Sequence, residues 1–241
     1  MWGFFSYFMA LLTMAIKPSI KFFAITISVI VFSFFSSCKS ESNKVADEGQ
    51  IEYETKVVDE NHPLAGLAPS SATLKFKKDK FIMEMSTLGM FNTSFLADIQ
   101  NKTLTQMVKF MDVKQASIET EKDLQAENAQ YALKLEETNE TKVIAGYKCH
   151  KTKVTMVNNP EVTFDVWYTK EMQVDQVNSL SPYAGIKGML MQYRLKKMGI
   201  ELQFTAKSVK NTEIPDNTFE VPAYYKIVSK EEMAKFFSGL Q

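Results

Sequence analysis

Histidine and cysteine are scarce in this chain. It has two of each: His62, His150, Cys38 and Cys149. Neither histidine stands at a metal-ligand spacing and no C-x-x-C pair exists, so no metal centre is expected. Two cysteines in a chain of this size do not make a disulfide scaffold. Net charge is missing as well. The 28 basic side chains balance 28 acidic ones, which argues against nucleic acid as a partner, because phosphate binding needs a basic face. There is no G-x-S-x-G elbow, no phosphate loop and no G-x-G-x-x-G. The carboxylates are scattered and no acid/base pair is visible. The expectation is a protein that is not an enzyme and carries no cofactor.

What is present is apolar and strand-forming. The chain is 45% hydrophobic and 23% charged, a globular balance. Residues 1–37 hold Lys17 and Lys21 and no acidic residue, and Phe22 to Phe35 is apolar apart from Thr26, Ser28 and Ser33. That run is short for a bilayer span and suits an export signal. It ends in Phe35-Ser36-Ser37-Cys38, which resembles the lipobox of bacterial lipoproteins, with Phe35 in place of the usual aliphatic residue. The resemblance implies cleavage after residue 37 and acylation of Cys38, with the membrane as partner. An ordinary signal peptide or membrane anchor is the alternative. Each buried acyl CH₂ contributes about 0.8 kcal/mol to anchoring. Residues 38–49 are polar and patternless and read as a flexible tether. The expected location is the cell envelope, lipid-anchored, facing the periplasm or the cell surface, with the outer membrane favoured. Met1 and Met14 both remain as starts.

From residue 50 to 241 the chain reads as one β-rich domain. Ile51, Tyr53, Thr55 and Val57 alternate with Glu52, Glu54 and Lys56, and the period is two. Hairpins are expected over Ala72–Met85, over Phe91–Ile99 with Lys102–Val113, over Thr141–Met156 with Val162–Thr169, and over Met189–Leu195 with Ile200–Val209. Strands so close in sequence form an antiparallel sheet. Ser229 and Glu232 make a capping box ahead of Met233, Phe236 and Phe237, predicting a C-terminal helix over 230–239. Glu119–Ala129 is polar nearly all round and reads as a surface helix or a loop. Asp59–Ser71 is a loop carrying Leu64 and Leu67; it packs on its own domain or closes a cavity mouth. The expected class is mainly β: a curved, half-barrel-like antiparallel sheet with a C-terminal helix, α+β overall.

On strand alternation Cys149 shares a face with Val143, Ala145 and Tyr147 and points inward as a small buried hydrophobe. His150 projects the other way, which weakens any Cys-His nucleophile. Of the 14 methionines, all but Met1, Met9 and Met14 follow Cys38. Methionine fills irregular cores and also suits surfaces that adapt to varied ligands. The inward set expected on the concave face is Tyr53, Phe76, Met83, Met85, Tyr147, Phe164, Val166, Met191 and Phe204. If the space inside is open, these residues hold an apolar ligand such as a lipid or acyl chain. If it is filled, the chain is a structural or interaction lipoprotein whose outer face meets an envelope protein.

One longer motif stands out. Thr141-Lys142-x-Ile144-x-Gly146-Tyr147-x-Cys149-x-Lys151, followed by Val166-Trp167-Tyr168-Thr169, resembles the centre of the GLPGLI-type and related lipoproteins and exported proteins of the Bacteroidota, a family of unassigned activity. Gly185-Ile186-Lys187-Gly188-Met189-Leu190 stands where that family's naming motif falls, with Lys187 in place of proline. The resemblance covers Thr138–Val209. In outline it is also similar to the half-barrel lipid carriers of lipoprotein localisation, which implies an apolar ligand by analogy only. Read physically, the motif is scaffold: Gly146 marks a bulge or close approach, and Tyr147, Trp167 and Tyr168 supply apolar area with polar tips.

Overall fold

The structure, a computed structural model, describes residues 47–197 and 199–239. The export signal, Cys38 and the tether up to residue 46 lie outside the described residues. The remainder of the tether is shorter than expected, because the first strand already begins at Glu48.

The described strands form one twelve-stranded sheet. They are β1 (Glu48–Val57), β2 (Ser71–Lys77), β3 (Lys80–Thr87), β4 (Phe91–Asp98), β5 (Thr103–Phe110) and β6 (Val113–Glu119), then β7 (Leu133–Ile144), β8 (Tyr147–Met156), β9 (Asn159–Thr169), β10 (Met189–Lys197), β11 (Ile200–Lys210) and β12 (Lys226–Ile227). Two α-helices accompany them, α1 (Glu121–Gln130) and α2 (Lys230–Ser238). The spatial order is β12-β6-β5-β4-β3-β2-β1-β11-β10-β9-β8-β7. Every pairing is antiparallel except the two-residue β12–β6 contact. The expected fold class therefore holds: a curved antiparallel sheet, α+β, with a C-terminal helix.

Register decides which side chains share a face. Tyr53 pairs with Ala72, Ala72 with Met85, and Met85 with Thr93. Met83 pairs with Phe95, and Phe95 with Gln106. Paired residues point the same way, so these define an inner face. The outer face of the same strands carries Ile82, Leu96, Met107 and Ala116. It is covered by the segment after β11, through Ile214 and Phe219. Lys77 holds that segment down, donating to the Ile214 carbonyl at 3.1 Å and pairing with Asp216 at 2.8 Å. The chain then passes the β6 edge as β12, and α2 returns to the inner face. There Met233 and Phe237 bury against Val108, each worth about 1.5–3 kcal/mol. The capping box at Ser229 and Glu232 is formed in both directions, at 3.1 Å each.

Two hairpin expectations change, and one open alternative, helix or loop after Glu119, is decided as helix. Lys102–Val113 is not one strand: Met111 turns the chain with φ 52° and a sixth strand follows. Thr141–Met156 is likewise two strands. Ala145 and Gly146, at φ 50° and 87°, form the two-residue turn between β7 and β8. Gly146 is thus a hairpin residue with open space around its Cα, not a bulge, and it serves the positive φ such turns require. The polar stretch after Glu119 is a helix. Thr120 caps it, with Asp123 returning the bond to the Thr120 backbone at 2.9 Å.

Candidate functional site

The inner face does not fill itself. A cavity of about 190 Å³ remains over the sheet. Its floor comes from seven strands, through Tyr53, Leu74, Phe81, Met83, Met85, Phe95, Leu104, Tyr193, Leu202 and Phe204 among others. A roof comes from two segments far apart in sequence. One is α1 with the residue after it, giving Leu124, Glu127, Asn128 and Tyr131; the other is the loop between β9 and β10, giving Val177, Leu180, Pro182 and Tyr183.

The roof is tied down by hydrogen bonds. Asn128 Nδ2 donates to the Leu180 carbonyl at 3.1 Å and clips helix to loop. Asn178, buried, donates to the Ile186 and Gly188 carbonyls at 2.8 Å each. Tyr183 donates to the Arg194 carbonyl. At Gly188 a Cβ would lie 2.4 Å from the Thr169 carbonyl oxygen, and φ is 130°, so only glycine fits where the loop rejoins the sheet.

The cavity wall is mostly apolar, and three of its tyrosine hydroxyls are held by the protein itself. Tyr53 donates to the Leu190 carbonyl at 2.8 Å and Tyr131 to Glu201 at 2.8 Å. Tyr193 stacks on Phe204 with centroids 4.9 Å apart, and Tyr53 meets Tyr193 edge-on at 5.9 Å. Burial raises the pKa of Tyr53, Tyr183 and Tyr193, so all three stay neutral.

Charge gathers at one end, where Lys196 is exposed. Lys197 Nζ lies 2.6 Å from Glu127 and 3.2 Å from Glu119. Glu119 is buried, and that desolvation raises its pKa against the pull of Lys197. A second cavity, of about 50 Å³, lies under Leu64 and Leu67 of the loop after β1, beside Thr93 and Phe237. That loop packs on its own domain, with Leu64 buried, and also walls the small cavity.

The nine residues expected on the concave face are divided by the structure. Tyr53, Met83, Met85 and Phe204 line the larger cavity. Phe76, Phe164 and Val166 are buried in the main core away from it, where the space over them is already occupied. Met191 is fully buried at the irregularity between Leu190 and Gln192, which shifts its register. Tyr147 pairs with Ile144 across the turn and packs, partly buried, against the main core away from the larger cavity, with its hydroxyl 3.5 Å from Asn211.

Cys149 is buried and shares its β8 face with Tyr147, as expected, but Val143 is not on that face. It pairs with Lys142, while Val143 pairs with Lys148 and is exposed. The turn at Gly146 breaks the alternation that a continuous strand would have kept. Burial pushes the Cys149 thiol up to about 11. His150 is on the opposite face, with its ring 5.8 Å from Tyr168. The residues of the long motif act as scaffold. Lys142 Nζ sits 4.1 Å over the Trp167 ring, Lys151 bridges Glu140 and Asp165 at 3.1 Å each, and Tyr168 donates to Glu137 at 3.1 Å.

The roof was missed by sequence reasoning. Its signals were weak: a single leucine, Leu124, in a polar helix, and Val177, Leu180 and Tyr183 in a stretch without period. The Thr120-x-x-Asp123 cap was a usable sign.

A curved, mainly antiparallel sheet with two helices places the molecule among α+β folds dominated by strands. Residues 50–192, more than half of the 241-residue chain, match the family described as N-glycanase peptide, N-terminal domain. The chain belongs to that family. Among solved structures it is similar to "Structure of PNGF-II in C2 space group", with a TM-score of 0.48 and 17% identity over 80% of this chain. It spans 32% of that protein's length, about a third. No curated protein matches the chain.

Proposed function

We propose that this chain is a binding module that holds a compact apolar ligand between its sheet and its roof. The observation that carries this reading is the roofed cavity, walled by methionines and aromatics, with the Tyr53, Tyr131 and Tyr183 hydroxyls already bonded to the protein. Its size sets the ligand's scale. About 190 Å³ lies between the roughly 150 Å³ that accepts benzene and the roughly 300–1,000 Å³ of drug-sized pockets. A whole multi-chain lipid does not fit; a single short apolar group does.

Titration of the delipidated protein with a small fluorescent apolar probe tests this. Saturable binding near micromolar, about −8 kcal/mol, is expected. Met83→Lys should weaken it while circular dichroism stays unchanged, because Met83 is only partly buried and a charge there faces the cavity unpaired. No saturable binding by a folded protein sinks the proposal.

The family supports a second reading, in which the chain serves beside a glycan-cleaving domain and does not cut by itself. Incubation of this chain alone with an N-glycoprotein should release no glycan; release would make it an enzyme. Anchoring is part of the same proposal: Cys38 is acylated and holds the module in the envelope, as the likeness to the GLPGLI-type lipoproteins suggests. Cys38→Ser should then leave an unacylated precursor or a soluble protein, and unchanged membrane fractionation with normal processing would overturn that.

A further inference from the structure

The two cavities share a wall. Met85, Ile200 and Leu202 border both the 190 Å³ space and the 50 Å³ space. Ile200 and Leu202 are held by β11, between β1 and β10. Met85 is different. It is unbranched, with three rotatable bonds and a soft thioether, so it is the part of the wall that can swing aside. Turning it joins the two spaces into one bent channel that runs from the charged end to the loop carrying Leu64 and to Phe237.

The charged end has no vacancy for an ion. Lys197 is already held by Glu127 and Glu119, and Lys196 stands opposite Glu201 in the β10–β11 register. A charged head would displace an existing pair, whereas a hydroxyl can add a hydrogen bond to the cluster. The narrow far end, behind a single flexible side chain, suits a thin tail and not a ring system.

We infer that the ligand is a neutral, unbranched single-chain amphiphile of the alcohol class, its head at the Glu127–Lys197 pair and its tail passing Met85 into the space beneath Leu64 and Phe237. This rests on the larger cavity being a ligand site. It adds the path, the chain shape and the head group.

Straight-chain primary alcohols of increasing length, titrated into the full-length protein, provide the test. Affinity should rise about fourfold per added methylene and continue to rise past the length that fills the larger cavity. Met85 borders both spaces, so Met85→Trp should weaken short alcohols too, and it should stop the rise at a shorter chain length than in wild type. Thr93→Val removes a buried hydroxyl with no hydrogen-bond partner from the far end. It should tighten binding of long alcohols and leave short ones alone, a gain that a folding defect cannot mimic. Fatty acids of equal length should bind less tightly than the alcohols. The inference is overturned if wild type and Met85→Trp level off at the same length, if branched or cyclic alcohols of equal carbon number bind as well, or if fatty acids bind more tightly. Failure of every alcohol, short ones included, removes the cavity reading itself.

Discussion

Asn178 offers a direct measure of what the roof is worth. Its amide makes two hydrogen bonds at 2.8 Å, to the Ile186 and Gly188 carbonyls, and the residue is 5% exposed. Asn178→Ala removes both donors, and each orphaned carbonyl costs about 1–3 kcal/mol if water does not reach it. Allowing for some water entry, the expected loss is about 2–4 kcal/mol. For a domain of this size each 1 kcal/mol moves Tm by about 2–4 °C, so thermal unfolding should fall by roughly 4–16 °C. Asn178→Asp separates loss of a donor from loss of bulk. Its carboxylate sets acceptors against acceptors and should be at least as harmful at neutral pH. It should regain part of the loss below about pH 4, where the acid has a proton to donate. Urea and thermal unfolding of the three proteins, at neutral and acidic pH, give the comparison. If Asn178→Ala stays within about 0.5 kcal/mol of wild type, the value of a surface substitution, the argument that the two bonds hold the loop is wrong.

Three further outcomes are expected. Gly188→Ala forces a Cβ to 2.4 Å from the Thr169 oxygen at a positive φ and should destabilise by more than the roughly 1–3 kcal/mol of backbone strain alone, read by urea unfolding; a neutral effect would show that the β9–β10 loop yields. Lys197→Met strands Glu119, whose side chain is 5% exposed, and should cost about 3–5 kcal/mol at neutral pH. Glu119 has a raised folded pKa, so its protonated form is favoured in the fold; the loss should shrink as pH falls through that pKa and vanish below the unfolded value near 4.5, in a pH series of unfolding curves. The Cys149 thiol, pushed up to about 11 by burial, should react with a thiol reagent only slowly in the native protein at neutral pH and rapidly in urea. Its preference for the neutral form supports folding fully below about pH 9 and is lost as pH rises through about 11. Fast native labelling refutes its placement.

Local chemistry was legible where the cause was local. The β1 alternation, the turn at Lys78-Asp79 and the Ser229–Glu232 cap could all be read, because period, turn residues and capping pairs act within a few positions. Reading failed where one residue changes the parity of those after it. Ala145 and Gly146 reverse the chain and put Cys149 on the face away from Val143, and the irregularity at Leu190/Gln192 does the same to Met191. The sequence also assigned inner-face positions such as Tyr53, Met83, Phe164 and Val166 without telling which of them would line open space.

By itself, then, the order of residues determined the strands, most of their hairpins, the C-terminal helix and an apolar inner face, since each follows from periodicity two or from short capping and turn motifs. Only the tertiary structure decided that a cavity exists and where. That depends on α1 and the β9–β10 loop meeting over β1–β5, β10 and β11, and on the segment after β11 being spent on the outer face. Such contacts join residues 50 or more positions apart, as Asn128 to Leu180 does. No periodicity records them, because they are selected by how the whole sheet curves and by what remains to cover it.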